Sequence, residues 1–346
     1  MTGSSGTRRP GSPGADRPVD PVRPAARHES GSLGHVLVLA GGLSPEREVS
    51  LRSGDRVNDA LNEAGVDAHL VDADAALIPL LLADPPAAVF PAIHGYSGED
   101  GAIREVLALL GIPYVGSTAD ACRLAFDKPV AKALAVRAGL DTPESVALPR
   151  ETFHDLGAGA MLERIVASLG LPLFVKPARG GSALGAGPVL SADELPAAMI
   201  SCFAYGDTAL VERFAEGTEV AVGVIDLGDG PQALPAVEIV PEGGWFDYTA
   251  RYTAGRTEYY APARLPDHSA RAVAETAVTA HVALGLRDLS RTDLIVSPSG
   301  EVYFLEVNVA PGMTETSMLP MALEASGREF GLLCRDLLLI AAARGT

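Results

Sequence analysis

Residues 291–320, RTDLIVSPSGEVYFLEVNVAPGMTETSMLP, constrain the fold more than any other stretch. Residues 293–296 and 302–309 are mostly apolar and hold several β-branched side chains. Ser297-Pro298-Ser299-Gly300 between them is a turn by composition. The spacing predicts a β-hairpin. Folded about Ser299, it sets Asp293 opposite Glu306, to within one residue. Glu306 and Asn308 are two apart on a strand and share a face. Asp293, Glu306 and Asn308 therefore converge on one patch of sheet, with Arg291 as the nearest cation in sequence.

Crowded carboxylates repel one another unless a cation lies between them. Hard oxygen ligands without His or Cys suit Mg²⁺ or Mn²⁺. The plainer reading is a solvated hairpin face that happens to be acidic, and spacing alone leaves both open. After the hairpin, Pro311-Gly312-Met313-Thr314 breaks the strand, and a Ser/Thr-rich turn leads into a helix. Backbone N–H groups at such a turn can hold an anion.

A chain of 346 residues has room for two or three domains. With 47% hydrophobic and 21% charged residues, the composition is that of a soluble globular protein. A net charge of −17 argues against non-specific binding to nucleic acid or to an anionic membrane. Cys122, Cys202 and Cys334 are scattered and without metal spacing, as expected of reduced thiols in a cytoplasmic protein. No apolar run approaches transmembrane length. Residues 1–32 are rich in Pro, Gly and Ser and are expected to be a disordered tail.

From residue 33 the pattern alternates. HVLVLA (35–40), 68–71 and 88–93 read as strands, and helices lie between and after them, stopped at Gly65 and Gly111. This predicts a parallel-sheet α/β domain over 33–116. Its first glycines do not form G-x-G-x-x-G, which speaks against a dinucleotide fold. The loops after the first and third strands, GLSPEREVS (42–50) and HGYSGEDG (94–101), sit where ligands bind in open α/β sheets. Glu46 and Glu48 could be helix N-terminal acids that complement the dipole, and His94 could be structural. A central subdomain is expected over 117–213. There the strand LPLFVK (171–176) runs into a Gly-rich flap, PARGGSALG, whose glycines permit close backbone approach to phosphates. It is not a Walker A loop. Residues 214–346 form the last subdomain, with the hairpin. Residues 245–263 are aromatic, polar and aperiodic, as an ordered lid would be.

These motifs, in this order from about residue 35 to the last helix, resemble the D-alanine–D-alanine ligase family of ATP-grasp enzymes. EVNVAPGMTETSMLP carries the likeness most clearly. The resemblance implies a three-domain ATP-grasp fold, α/β and α+β, with ATP between the second and third domains. It implies cytoplasmic synthesis of D-alanyl-D-alanine for peptidoglycan, small-molecule substrates (D-alanine and ATP), and a homodimer as the common assembly. Glu46 would face the ammonium of the first D-alanine. His94 would lie near the substrate carboxylate with Glu99 in support, and Ser182 would help bind the first amino acid. Lys128, Lys176 and Arg251 would contact phosphates. Glu212 would accept from the adenine amine, Phe214 and Ala215 would offer backbone groups, and Glu219 would meet the ribose. Asp293, Glu306 and Asn308 would hold Mg²⁺ or Mn²⁺, two ions in all. Arg291 and the Gly312 N–H would hold an oxyanion, and Ser317 the second carboxylate. Tyr252 goes with an amine as second nucleophile. Arg251 stands where the family has Lys, Ala183 where it has a second serine, and Val309 is a further departure. The competing readings are a ligase of other small amino acids or of D-alanine with D-lactate, and a catalytically silent nucleotide-binding paralogue.

Overall fold

The computed structural model describes residues 1, 33–246, 250–251, 253 and 255–345. The expected tail therefore lies, but for Met1, outside the described residues, as does Tyr252. Three sheets follow one another along the chain. The first unit runs β1 (Val36–Ala40), α1 (Arg47–Glu63), β2 (Ala68–Asp72), α2 (Leu77–Ala83), β3 (Val89–Pro91), α3 (Tyr96–Glu99), α4 (Ala102–Leu109). Its sheet is parallel in the order β2-β1-β3. All five residues of β1 are buried, as expected for the centre of a sheet covered on both faces. Because the chain leaves β1 towards β2 and returns on the other side as β3, the loops after β1 and β3 meet at a topological switch point. There the Ser44 hydroxyl donates to the His94 carbonyl at 2.9 Å.

Next come α5 (Ala119–Phe126), α6 (Lys128–Arg137), β4 (Ser145–Pro149), α7 (Arg150–Leu156), α8 (Ala158–Leu169), β5 (Leu173–Pro177), β6 (Gly187–Val189), α9 (Leu195–Phe203) and β7 (Thr208–Arg213). The central sheet is antiparallel in the order β4-β7-β5-β6. The last unit holds β8 (Thr218–Ile225), β9 (Gln232–Ala233), β10 (Val237–Pro241), β11 (Thr257–Tyr260), α10 (Asp267–Ala283), β12 (Leu289–Val296), β13 (Val302–Asn308), α11 (Met318–Ala325) and α12 (Phe330–Arg344). Its sheet runs β11-β10-β8-β12-β13, with β9 on β8.

The predicted hairpin is β12–β13, with Asp293 paired to Glu306 and Arg291 to Asn308. A register shift after Asp293 bulges Leu305 out of the ladder. Packing does not follow chain order. Helices α5 and α6, grouped with the central sheet from sequence, bury Ala121, Cys122, Ala131 and Ala135 against Val220, Val222 and Phe304 of the last sheet. Helix α12 returns to the first unit, where Leu333, Leu337 and Leu338 share a core with Val36, Val57 and Leu61. The supposed aperiodic lid also contains an edge strand, β11, paired with β10 through Glu238–Tyr260 and Pro241–Thr257. All three cysteines are free and buried, and no described helix is long and apolar enough to cross a membrane.

Candidate active site

A cavity of about 560 Å³ lies between the central and last sheets. Strand β5 carries Lys176 and β7 carries Glu212, so alternation along paired antiparallel strands brings both side chains to this cavity. Lys128, at the start of α6, reaches it from the side. Its ammonium donates to the Gly180 carbonyl of the flap at 2.7 Å and lies 3.3 Å from the Glu306 carboxylate. Glu212 is buried with each oxygen on a different ammonium, Lys176 at 2.6 Å and Lys132. Burial alone would raise the Glu212 pKa, but the two lysines hold it below the ordinary value. Glu212 was expected to read the adenine amine; here its two oxygens pair with Lys176 and Lys132. Lys132 was missed from sequence, although it follows Lys128 by one helical turn. Burial pulls its pKa down in spite of Glu212. The Phe214 N–H, expected to face a base, is bonded to the Pro172 carbonyl at 3.0 Å. Its ring, Ala215 and Glu219 line the cavity, and the Phe174 ring lies edge-on to Trp245 with centroids 5.9 Å apart.

On the opposite wall Asp293 and Glu306 face each other across β12 and β13. Burial would raise the Glu306 pKa, but Lys128, Lys176 and the nearby arginines bring it down to about 2. Arg291 donates from Nε and Nη2 to the two oxygens of Asp293 at 2.7 and 2.8 Å. Glu219 shares this neighbourhood. Its pKa rises to about 7, first through burial and then through Asp293 and Glu306, while Arg251 opposes the shift. Among the described residues no three His, Cys, Asp or Glu side chains gather closely enough to cage an ion. The predicted set is two carboxylates and the Asn308 amide, whose Oδ1 accepts from the Ala310 N–H at 2.8 Å. Few protein oxygens, with the two carboxylates lining the cavity, fit a cation that keeps positions for water and phosphate. Arg251 packs over the Phe246 ring at 4.3 Å, and its buried Nε has no partner among the described residues.

The other end of the site is built by the first unit. Glu46 precedes α1 but makes no capping bond. Its carboxylate is buried and accepts from the Ser182 hydroxyl of the flap at 2.8 Å. Ser182 and Ala183 both have left-handed backbone, φ 56° and 55°, which turns the flap towards Glu46. Gly95 has φ +71°, and a Cβ there would lie 2.1 Å from the Glu46 carboxylate, so only glycine fits. Glu99 accepts from the Gly95 N–H at 2.9 Å. Burial and the nearby Glu46 raise its pKa to about 7. His94 was expected beside a substrate carboxylate, but both ring nitrogens are taken by protein groups. Nδ1 lies 2.9 Å from the Ala310 carbonyl and Nε2 2.7 Å from the Ser53 hydroxyl. Burial drops its pKa to about 4, so the ring is neutral near pH 7. Ser317 lies against Gly312, where a Cβ would approach its hydroxyl to 2.6 Å. It also accepts from the Thr314 N–H at 3.1 Å.

Cations, carboxylates and flap thus line one cavity, and the first unit joins it through the bond from Ser182 to Glu46. Residues 134–339 match the family described as D-ala D-ala ligase C-terminus. A D-alanine–D-alanine ligase of Anaeromyxobacter sp. (strain K) is 42% identical over 303 residues, covering 88% of this chain and 95% of that protein. Among solved structures, the VanG D-Ala:D-Ser ligase from Enterococcus faecalis is 30% identical with a TM-score of 0.77, covering 90% of this chain and 100% of that one. The D-alanine–D-alanine ligase from Bacillus anthracis complexed with ATP is 26% identical with a TM-score of 0.73, covering 90% and 97%. The fold is the ATP-grasp arrangement of these ligases. Sequence, fold and the surroundings of the cavity agree, and the chain belongs to the D-alanine–D-alanine ligase family.

Proposed function

We propose that the chain joins two D-alanine molecules into D-alanyl-D-alanine at the expense of ATP, through an acyl phosphate, for peptidoglycan precursors. The observation that carries this reading is the 2.8 Å bond from Ser182 to Glu46. It sets an ammonium-binding carboxylate against the same flap that Lys128 grips at Gly180. An amino acid held there lies next to the cavity of Lys176 and Arg251.

A carboxylate has no good leaving group, and phosphorylation supplies one. On this reading Glu46, oriented by Ser182, takes the ammonium of the first D-alanine, whose carboxylate oxygen attacks the γ-phosphorus as ADP leaves. Phosphoryl transfer needs alignment and neutralised charge more than protein chemistry. Lys128, Lys176 and Arg251 supply positive charge, and Glu212 holds Lys176 in place. Asp293, Glu306 and Asn308 would hold Mg²⁺ or Mn²⁺, which neutralises phosphate charge when bound. The amine of the second D-alanine then attacks the acyl carbon. The Gly312 N–H and Arg291 meet the oxyanion, Ser317 meets the second carboxylate, and inorganic phosphate departs, taking up the proton that the amine gives up. An acyl phosphate hydrolyses in water, and Trp245, Phe246 and Arg251, which line the cavity, would help cover it. Assembly as a homodimer and location in the cytoplasm belong to the same reading.

The test is phosphate release with ATP and Mg²⁺ over D-alanine, D-serine, D-lactate and L-alanine, with product masses read at neutral pH. D-alanyl-D-alanine from D-alanine alone is the expected result. A product only from mixed substrates would favour a different ligase, and nucleotide binding without phosphate release a silent paralogue. Glu306→Gln is expected to lower kcat on the order of a hundredfold and to change the Mg²⁺ response. Ordinary turnover with ordinary Mg²⁺ dependence would sink the metal assignment.

A further inference from the structure

The turn that presents Gly312 has few bonds of its own, since Pro311 has no N–H to give. It is held from outside. The Ala310 carbonyl can only accept, so His94 Nδ1 carries the ring proton and donates to it across 2.9 Å. Nε2 is then the acceptor of a hydrogen bond that the Ser53 hydroxyl donates at 2.7 Å. The Ser53 oxygen accepts in turn from the Met313 N–H at 3.1 Å. One chain of bonds thus closes the turn, from the 310 carbonyl through imidazole and hydroxyl to the 313 amide. One turn further along the same helix, Arg56 donates from Nη1 to the Met313 carbonyl at 2.9 Å while its guanidinium packs over Phe330. Ser53 is fully buried in mid-helix. A serine there would ordinarily bond back to its own helix; this one points outward into the turn.

We propose that Ser53 and His94, with Arg56, are positioning residues that fix the Gly312 N–H for the ligation step. The inference rests on the proposed function, in which that amide meets the oxyanion. Neither Ser53 nor Arg56 touches the cavity, and His94 acts through the turn. The direction of every bond follows from the partners: reversing the His94 tautomer would set a bare nitrogen against a carbonyl and leave Ser53 without an acceptor for its proton.

The test uses the full chain and compares wild type, Ser53→Ala, Ser53→Thr and Arg56→Met by steady-state kinetics and thermal melting. Ser53→Ala is expected to lower kcat roughly ten- to a hundredfold. KM for ATP should stay within about twofold, because the nucleotide cavity is not touched. Ser53→Thr keeps the hydroxyl and should restore most of the rate. Loss of melting temperature and rise of KM in proportion, with no separate fall in kcat, would reduce the clamp to a stability feature and overturn the proposal. If Ser53→Ala does not fold, Arg56→Met carries the test: it keeps packing on Phe330, and an unchanged kcat would overturn the proposal. Wild-type protein that makes no dipeptide overturns the ligase reading and the clamp with it. Wild-type activity matched by Ser53→Ala overturns the clamp alone.

Discussion

At position 251 a guanidinium stands where the resemblance leads one to expect an ammonium. The exchange keeps the charge but not the shape. Arg251 leans on the Phe246 ring and leaves its buried Nε unpaired among the described residues. Such a donor gains a partner when an anion enters. Arg251→Lys should keep kcat within about tenfold and raise KM for ATP, whereas Arg251→Met should lose on the order of 10²–10³ in kcat. Glu99 offers a test by pH. Its pKa is raised from 4.5 to about 7 on folding, first by burial. Between those values the native state binds more protons than the unfolded chain, so Glu99 lowers stability as pH rises through that window. Glu99→Gln keeps the acceptor for the Gly95 N–H and removes the charge. Its melting temperature relative to wild type should therefore be higher at pH 8 than at pH 5, by roughly 2–8 °C. Lys128, Lys176, Glu212 and Glu306, which line the cavity, were named from sequence mainly through the family's motifs. Lys132 and Ser53 were not. Spacing on α6 and α1 says which residues share a face, but only the tertiary fold says what that face meets.

Among the elements, the β12–β13 hairpin was readable because period-two alternation and a turn fix its register. The bulge at Leu305 was not, since it depends on β13 meeting β12 rather than on its own residues. Strand β11 escaped notice for a similar reason: aromatic and polar residues of no clear period become a strand only because β10 offers a free edge. The contact between α12 and α1 gives a prediction of definite sign. Gly331→Ala would ordinarily help a helix by about 0.5–1 kcal/mol. Here the added Cβ would lie 2.6 Å from the Ala60 carbonyl, a backbone atom that cannot swing away. Overpacking costs typically 1–3 kcal/mol and wins. Chemical denaturation should show net destabilisation, with the midpoint lowered and the slope unchanged.

For the whole molecule, three units were expected in chain order, and three sheets do follow one another. The helices cross between them. Composition and periodicity mark where elements begin and end, but not which apolar faces find each other, so the lodging of α5 and α6 against the last sheet was invisible. At the back of the molecule Asp288 collects the Gly116 N–H at 2.7 Å and the Arg344 guanidinium at 2.7 and 2.9 Å. The junction of the first unit, the entry to β12 and the end of the last helix thus meet on one carboxylate.

The return of α12 to the first unit has a consequence for how the protein is made. Domains commonly fold in the order in which they leave the ribosome. Here Val57 and Leu61 of α1 share one core with Leu333, Leu337 and Leu338, which are translated long after them. Until α12 has emerged from the ribosome, that shared core stays incomplete. Chaperone occupancy, measured along stalled chains of increasing length, should persist on the first unit until α12 has emerged.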